Sequence, residues 1–492
     1  MDTREVETRV IMKFKELNID GRIQDALEKL GYSEATEVQS AVIPELKQER
    51  DVIVKAKTGS GKTAAFAIPL LDSVVWEENK PQVLVLTPTR ELAIQVKEDF
   101  DNIGTYKKIK TLAIFGKQPY KFQTQDLKQK THVVVATPGR ILDHLQRGTF
   151  DASHLKYLVL DEADEMLNMG FIETVEKIIE KLPVKRTTCL FSATLPEEIK
   201  KLAAKFMKNP VQVNIKQSQV INQKIETYAY EVMSYEKAGF LLKLIVHEKP
   251  SSAIIFCETQ ERVNEVYDML YKNGISVHKI HGGILQTDRL ENMNDFRLGK
   301  VQFLVATDVA ARGIDIENIS HVINYDLPRE AQNYIHRIGR TGRKDSYGKA
   351  ITIFTDKDDK YINEIEAYLG YEIKVLEELK IDDIAKGKIK FEKKSKEVLK
   401  NRKNKIIEKN IHSEVTKIYI NAGKKKKIRV IDIVGAFSNL PGINNEDIGV
   451  VEVQDLCSYV DILNYKGEEL VKKYKEISIK KKIVKLRKDR QS

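Results

Sequence analysis

Three carboxylates, Asp161, Glu162 and Asp164, follow directly on the apolar run of "YLVLDEADEML" at 157–167. Negative charge collected where a buried strand ends calls for a cation or a proton beside it. Earlier in the chain, "AKTGSGKT" at 56–63 lies between the strand-like "DVIVK" and the helix-like "AAFAIPLL". A glycine-rich turn in that position lets the backbone of Ala56, Lys57, Thr58, Gly59, Ser60 and Gly61 wrap a phosphate chain. Lys62 can neutralise the outer phosphates, and the Thr63 hydroxyl can meet Mg²⁺. The leading position of this pattern holds Ala56 where glycine is usual. Taken singly, each feature has a plainer rival: a flexible Gly-Ser turn, or acids drawn to a helix N-terminus by its dipole. Together they favour a nucleoside-triphosphatase, in which Asp161 helps hold Mg²⁺ and Glu162 orients and deprotonates the attacking water.

Such residues need a rigid frame. The runs "VLVLTPTR", "VVVATPGR", "LVLDEAD" and "TCLFSAT" are Val- and Leu-rich without polar alternation, with charged helical segments between them. That pattern predicts parallel strands covered on both faces, an α/β sheet. The rhythm starts again near residue 250 with "AIIFCET", "VQFLVATD", "HVINYDLP" and "AITIFT". Two sheets of one class therefore stand in tandem, over residues 1–210 and 211–369, with a hinge expected at 210–223. Residues 370–412 are dense in Lys and Glu and are expected to form a basic linker, an extended helix or a mobile connector. Residues 413–492 read as a small α+β domain of order βαββαβ with a basic tail, its last strand supplied by "ISIKKKIVKLRKDR".

The composition narrows the class. At 492 residues with 42% hydrophobic content the chain can build more than one core. The charged start "MDTREVETRV" and the lack of any apolar stretch of about 18 residues predict neither a signal peptide nor a membrane span, and so a cytoplasmic protein. Cys189, Cys257 and Cys457 are too few and too scattered for a disulfide framework or a metal cluster. The net charge is +10, and its excess sits in the last quarter: residues 370–412 carry 13 Lys and Arg against 8 Asp and Glu, and residues 413–492 carry 17 against 11. A solvated lysine surface and a polyanion contact both fit that bias.

Six motifs in order carry a resemblance to the DEAD-box RNA helicases. "DEAD" stands at 161–164, with "PTRELA" at 88–93, "TPGR" at 137–140, "SAT" at 192–194, "ATDVAARGIDI" at 306–316 and "HRIGRTGR" at 336–343. The resemblance implies two tandem RecA-like domains and hydrolysis of ATP with Mg²⁺, the metal held through Thr63 and Asp161. Gln39, with Phe14 upstream, resembles the adenine-reading element, because one amide can both donate to and accept from a base edge. Before it the usual proline-threonine-proline reads Ala35, Thr36, Glu37. Arg340 and Arg343 are implied on the phosphates, where a planar fork of fixed charge suits phosphoryl transfer. Asp315 is implied at the ribose. Ser192 and Thr194 are implied to bond the acidic motif and relay nucleotide state, and His336 to link "SAT" or the nucleotide. From the residues alone, a strand-end cap and a structural histidine read the same way.

For RNA, the family implies Thr89, Arg90, Thr137, Gly139 and Arg140 in the first lobe and Gln286, Arg289, Thr307 and Asp308 in the second. Hydroxyls, glycine N–H groups and arginines grip phosphate and 2′-OH without reading bases. The usual glycine pair is only half present, as Gly116 in "IFGK". Through "IYINAGKKKKIRVIDIVGAFSN" at 418–439 and "EDIGVVEVQDLCSYVDIL" at 446–463, the last domain resembles the RRM-like RNA-binding extension of DbpA-type bacterial proteins, which implies a 23S ribosomal RNA hairpin and pre-50S particles as partners. Lys425, Lys426, Lys427 and Arg429 are its candidate contacts. Tyr419 and Tyr459, on expected strands, fit base stacking or plain packing. The expected function is an ATP-dependent RNA helicase, monomeric and away from membranes, remodelling ribosomal RNA. An RNA clamp without unwinding, a DNA helicase of the same superfamily, and a tail that binds protein or messenger RNA are the rivals.

Overall fold

The structure, a computed structural model, describes residues 12–56, 59–215, 224–311, 319–342, 347–376, 379 and 414–489. The chain divides into two compact units, Met1–Ile215 with Lys409–Ser492, and Lys216–Glu408.

The first lobe is a parallel sheet of β1 (Val52–Lys55), β2 (Val83–Leu86), β3 (Thr111–Ile114), β4 (Val133–Ala136), β5 (Tyr157–Leu160), β6 (Thr187–Ser192) and β7 (Val211–Asn214). Their order across the sheet is β3-β4-β2-β5-β6-β1-β7. Both faces are covered. Val83, Val85, Val133 and Val159 pack on one side, and Leu84, Leu86, Val134 and Leu158 on the other. This is why the strands read as unbroken apolar runs. β7 falls inside the hinge expected at 210–223. Val211 and Val213 are buried while Gln212 and Asn214 are not, so the stretch completes the sheet edge beside β1. Residues 216–223 lie outside the described residues.

The second lobe repeats the plan with β8 (Ile225–Glu231), β9 (Ala253–Phe256), β10 (Val277–Ile280), β11 (Phe303–Ala306), β12 (His321–Asn324), β13 (Gly348–Phe354) and β14 (Lys374–Leu376). All are parallel, in the order β10-β11-β9-β12-β13-β8-β14. β14 pairs with β8, so this lobe runs past residue 369 into the stretch expected as linker. Residues 380–413 lie outside the described residues.

The C-terminal domain is an antiparallel sheet of β15 (Thr416–Ile420), β16 (Ile448–Val453), β17 (Ser458–Ile462), β18 (Glu476–Ile479) and β19 (Lys482–Lys488), ordered β16-β17-β15-β19-β18. Helices Val430–Ser438 and Lys466–Lys473 accompany it, and Ile433, Phe437 and Leu470 join the strand residues in its core. The tail expected to supply one strand makes a hairpin of two. Lys480 and Lys481 both take positive φ, 53° and 61°, which gives a tight two-residue turn. Asn or Gly normally announces such a turn, and two lysines do not.

In the second lobe, Glu248 accepts hydrogen bonds from Tyr228 Oη (3.0 Å) and Lys349 Nζ (2.8 Å) and lies 3.4 Å from His321 Nε2. Burial opposes its charge, but these partners prevail and hold its pKa at about 2, below the usual 4.5. Because the folded value is the lower one, its stabilisation is present above pH 4.5 and lost as pH falls toward 2. Glu248→Gln should therefore speed hydrogen exchange in β12 and β13 at pH 7 and flatten its acid dependence between about pH 5 and 3.

Candidate nucleotide and RNA sites

In the first lobe every chemistry-bearing loop leaves the C-terminal edge of the parallel sheet, where α/β sheets hold ligands. The phosphate loop follows β1, "DEAD" follows β5 and "SAT" follows β6. Because β6 lies between β1 and β5, these three loops converge. "PTRELA", "FGK" and "TPGR" follow β2, β3 and β4 on the other half of the edge.

Gly59 and Gly61 take φ of 80° and 87°, and a Cβ on Gly61 would stand 2.6 Å from Gln39 Nε2. Only glycine fits so close a backbone approach. Helix Lys62–Ser73 begins here, aiming its free N–H groups at the loop. Gln39 ties this turn to the preceding helix. Its Nε2 donates to Gly61 O at 3.1 Å and its Oε1 accepts from Thr36 N at 2.8 Å, while Thr36 Oγ1 donates to Ser60 O at 2.9 Å. Thr36 and Gln39 thus form a capping box that also braces the loop. One N–H and one lone pair of the Gln39 amide remain for a base. Phe14 is buried against Tyr32, its ring edge-on at 5.6 Å. Ala56 donates its N–H to Ser192 O at 3.0 Å. Lys57, Thr58, Asp315 and Arg343 lie outside the described residues.

Asp161 is buried at the end of β5, and its Oδ1 accepts from Glu162 N at 3.0 Å. Burial raises its pKa, the Lys62 ammonium pulls it down and Asp164 pushes it up. Glu162 sits in the left-handed region, φ 51° and ψ 53°, as the residue capping helix Ala163–Asn168. For a glutamate this backbone costs on the order of 1–3 kcal/mol, a strain that clusters at functional sites. Asp164 is held from the neighbouring strand. Its Oδ2 accepts from Thr194 N and Thr194 Oγ1, both at 2.9 Å, and its N–H donates to Ser192 Oγ at 3.2 Å. The acidic motif and "SAT" form one hydrogen-bonded unit.

Across the sheet edge, Thr89 caps helix Arg90–Gly104 by accepting from Leu92 N, and Thr137 precedes helix Pro138–Gln146, which contains Gly139. Arg140 Nη1 donates to Gln118 O (3.0 Å) and Gln123 Oε1 (2.8 Å), and Gln123 Nε2 donates to Phe115 O at 2.9 Å. Buried Gln123 therefore joins the "FGK" loop to "TPGR". His144 stacks on Tyr120 at 4.2 Å and contacts Gln123 Oε1 at 3.2 Å; burial, then Arg140, lowers its pKa to about 4. Neither Gln123 nor Tyr120 was visible as functional, since no motif spacing contains them. Lys117, standing where a second glycine is usual, takes φ 62° and carries the strain that glycine would avoid.

In the second lobe, a hollow is lined by Phe256, Asp308, Ala311, Asn333, His336, Arg337 and Arg340. Arg337, absent from the expected set, organises it. Its Nε and Nη2 donate to the two carboxylate oxygens of Asp308, each at 2.6 Å, and Nη1 to Asn324 Oδ1 and Asp326 O. Asp308, expected on RNA, has both oxygens engaged by this buried arginine. Arg289 Nη2 donates to Ala310 O at 3.1 Å, tying helix Gln286–Arg297 to the same loop, and Thr307 is buried just before Asp308.

In the C-terminal domain Lys425, Lys426, Lys427 and Arg429 are all exposed. The hairpin brings a second basic loop to them: Lys482 Nζ donates to Lys426 O at 2.7 Å and Lys480 Nζ to Lys427 O at 3.3 Å. A side chain on Gly423 would collide with the Gln454 carbonyl, so glycine is needed where this loop leaves β15.

A phosphate loop, a buried acid-ended strand and a second sheet of the same topology define a motor of the two-lobed helicase class. Residues 36–202 match the DEAD/DEAH box helicase family, 236–345 the helicase conserved C-terminal domain, and 417–488 the DbpA RNA binding domain. The chain is 49% identical to the ATP-dependent RNA helicase DbpA of Bacillus subtilis, over 96% of its own length and 99% of that protein. It is 42% identical to the DEAD-box ATP-dependent RNA helicase CshA of Geobacillus kaustophilus, over 76% and 80%. Among solved structures, S. cerevisiae Dbp5 bound to RNA and ADP BeF3 superposes with a TM-score of 0.68 at 32% identity, covering 79% of this chain and 99% of that one. The chain belongs to the DEAD-box ATP-dependent RNA helicases that carry a DbpA RNA-binding domain. It is thus an ATP-driven RNA helicase of the DbpA type.

Gln123→Ala should weaken RNA binding about 5- to 30-fold through misplacement of Arg140, the equivalent of one to two lost hydrogen bonds. ATP affinity should be unchanged, and fluorescence titration with each ligand separates the two.

Proposed function

We propose that the protein uses ATP and Mg²⁺ to remodel 23S ribosomal RNA during assembly of the large ribosomal subunit, acting in the cytoplasm as a monomer on a ribosomal hairpin in pre-50S particles. The observation that carries this reading is the pairing of a helicase core with a domain matching the DbpA RNA-binding family, whose two lysine loops meet on one exposed face.

In this reading the loop 56–63 holds the triphosphate through backbone N–H groups and Lys62, while Gln39 and Phe14 receive the adenine and Asp315 the ribose. Mg²⁺ would be held by the Thr63 hydroxyl and the Asp161 carboxylate. The donor set fits: both are hard oxygen ligands, and a divalent ion beside a desolvated carboxylate offsets the burial that raises its proton affinity. When bound, the metal neutralises phosphate charge.

Glu162 takes the proton of the attacking water. Arg340 and Arg343 stabilise charge spread over the transferring group. Ser192 and Thr194, bonded to Asp164, carry the state of the acidic motif toward the RNA loops, with His336 as a further link. Thr89, Arg90, Thr137, Gly139, Arg140, Gln286, Arg289 and Thr307 grip the backbone without reading sequence. Lys425, Lys426, Lys427 and Arg429 deliver the core to its hairpin, with affinity that falls as salt rises.

ATPase rates measured across fragments of ribosomal RNA test the target. One 23S hairpin should stimulate strongly, and removal of residues 413–492 should abolish its advantage over other RNAs; equal stimulation by all fragments would refute the ribosomal reading. Lys62→Ala should abolish ATP binding. Glu162→Gln should keep ATP bound while slowing turnover about 10²- to 10⁴-fold, the usual contribution of a general base; single-turnover hydrolysis at the parent rate would exclude that role.

A further inference from the structure

The strands of the C-terminal domain bury one face on its two helices and leave the other open. Glu452, Tyr459, Tyr419 and Arg487 lie in one row across β16, β17, β15 and β19, and Asp461 and Lys417 form the next row. None of these six side chains belongs to the domain's own core. The glutamate end of this face lies against the first lobe. Lys110 Nζ, from the segment leading into β3, stands 3.7 Å from Glu452 Oε1, and Lys417 Nζ stands 3.8 Å from the same oxygen. Lys97 and Asp101, an ion pair on helix Arg90–Gly104, extend the alternation of charge. Burial, opposed by Lys417, pushes the Asp461 carboxyl up to about 6, as expected of an acid shut between two domains.

Two further contacts fix the orientation. Glu414, just before β15, accepts from Lys29 Nζ at 2.6 Å and from Tyr106 Oη at 3.1 Å. Lys108 Nζ donates to Asn445 O at 3.1 Å. Three separate points of the C-terminal domain thus meet the helix Gly21–Lys29 and the 105–110 turn of the first lobe. The charges are opposite in sign across the boundary: acids Glu414 and Glu452 face Lys29 and Lys110. Ion pairs of this kind set register and orientation more than they add affinity.

We propose that the C-terminal domain docks on the nucleotide-binding lobe through the Glu452 end of its open sheet face, with Lys110 as the lobe's specifying partner and Glu414 as a second anchor. Docking covers that end of the face and leaves the Lys424–Lys427 and 480–482 loops uncovered. The interface holds whichever RNA the lysine loops take, so it goes beyond the ribosomal reading.

Pulsed electron resonance on the full chain tests it. Spin labels go on Val184→Cys in the first lobe and Ile483→Cys in the C-terminal domain, both strongly exposed, in a Cys457→Ser background; the other two cysteines are buried and escape labelling. The parent should give one narrow distance distribution. Lys110→Glu and Glu452→Lys should each broaden it severalfold, and the two together should restore it, which a folding defect would not do. A broad distribution in the parent, a narrow one that survives either single reversal, or failure of the double reversal to recover it would overturn the proposal.

Discussion

A carboxylate shut away from water at the end of a strand calls for positive charge beside it, and in the first lobe Lys62 opposes the burial that raises the Asp161 pKa without outweighing it. That opposition holds only because β6 lies between β1 and β5, bringing a lysine and an aspartate far apart in sequence to one edge. Ser192 and Thr194 enter the same network because they end that intervening strand. Their bonds to Asp164 tie the acidic motif to that strand. The unusual backbone of Glu162 follows from the same crowding: a helix must start at once after β5, and the residue at its cap takes the strain.

The second lobe solves an analogous problem with the opposite sign. Here the buried charge is Arg337, and Asp308, Asn324 and the Asp326 carbonyl take up its donors while the Phe256 ring lies 5.0 Å away. Removing the Asp308 carboxylate would leave the buried guanidinium without an opposite charge, which costs far more than the pair gains. The neighbouring His336 and Arg340 line the same hollow.

The C-terminal domain differs in kind. Its core is small and apolar, and its distinguishing feature is the placement of charge: lysines gather on the loops 424–427 and 480–482, and Glu452, Lys417 and Asp461 lie on the open sheet face. One surface suits a polyanion, the other a mixed-charge protein face.

The α/β class, the tandem sheets, the phosphate loop and the acidic strand end were legible in the sequence, because both-faces burial writes itself as continuous apolar runs and short loops between strand and helix leave few residue choices. Lys62, Asp161, Ser192 and Thr194 could be singled out for that reason. Gln123, Arg337 and the interface at Glu452 could not, since each acts through a partner distant in the chain and sits in no local pattern. The Lys480–Lys481 turn and β7 were misjudged because lysine does not advertise a positive φ and four residues are too few to show a period. Local chemistry was set by the order of residues alone; which charge meets which was decided by strand order, because only the folded sheet fixes distances between loops.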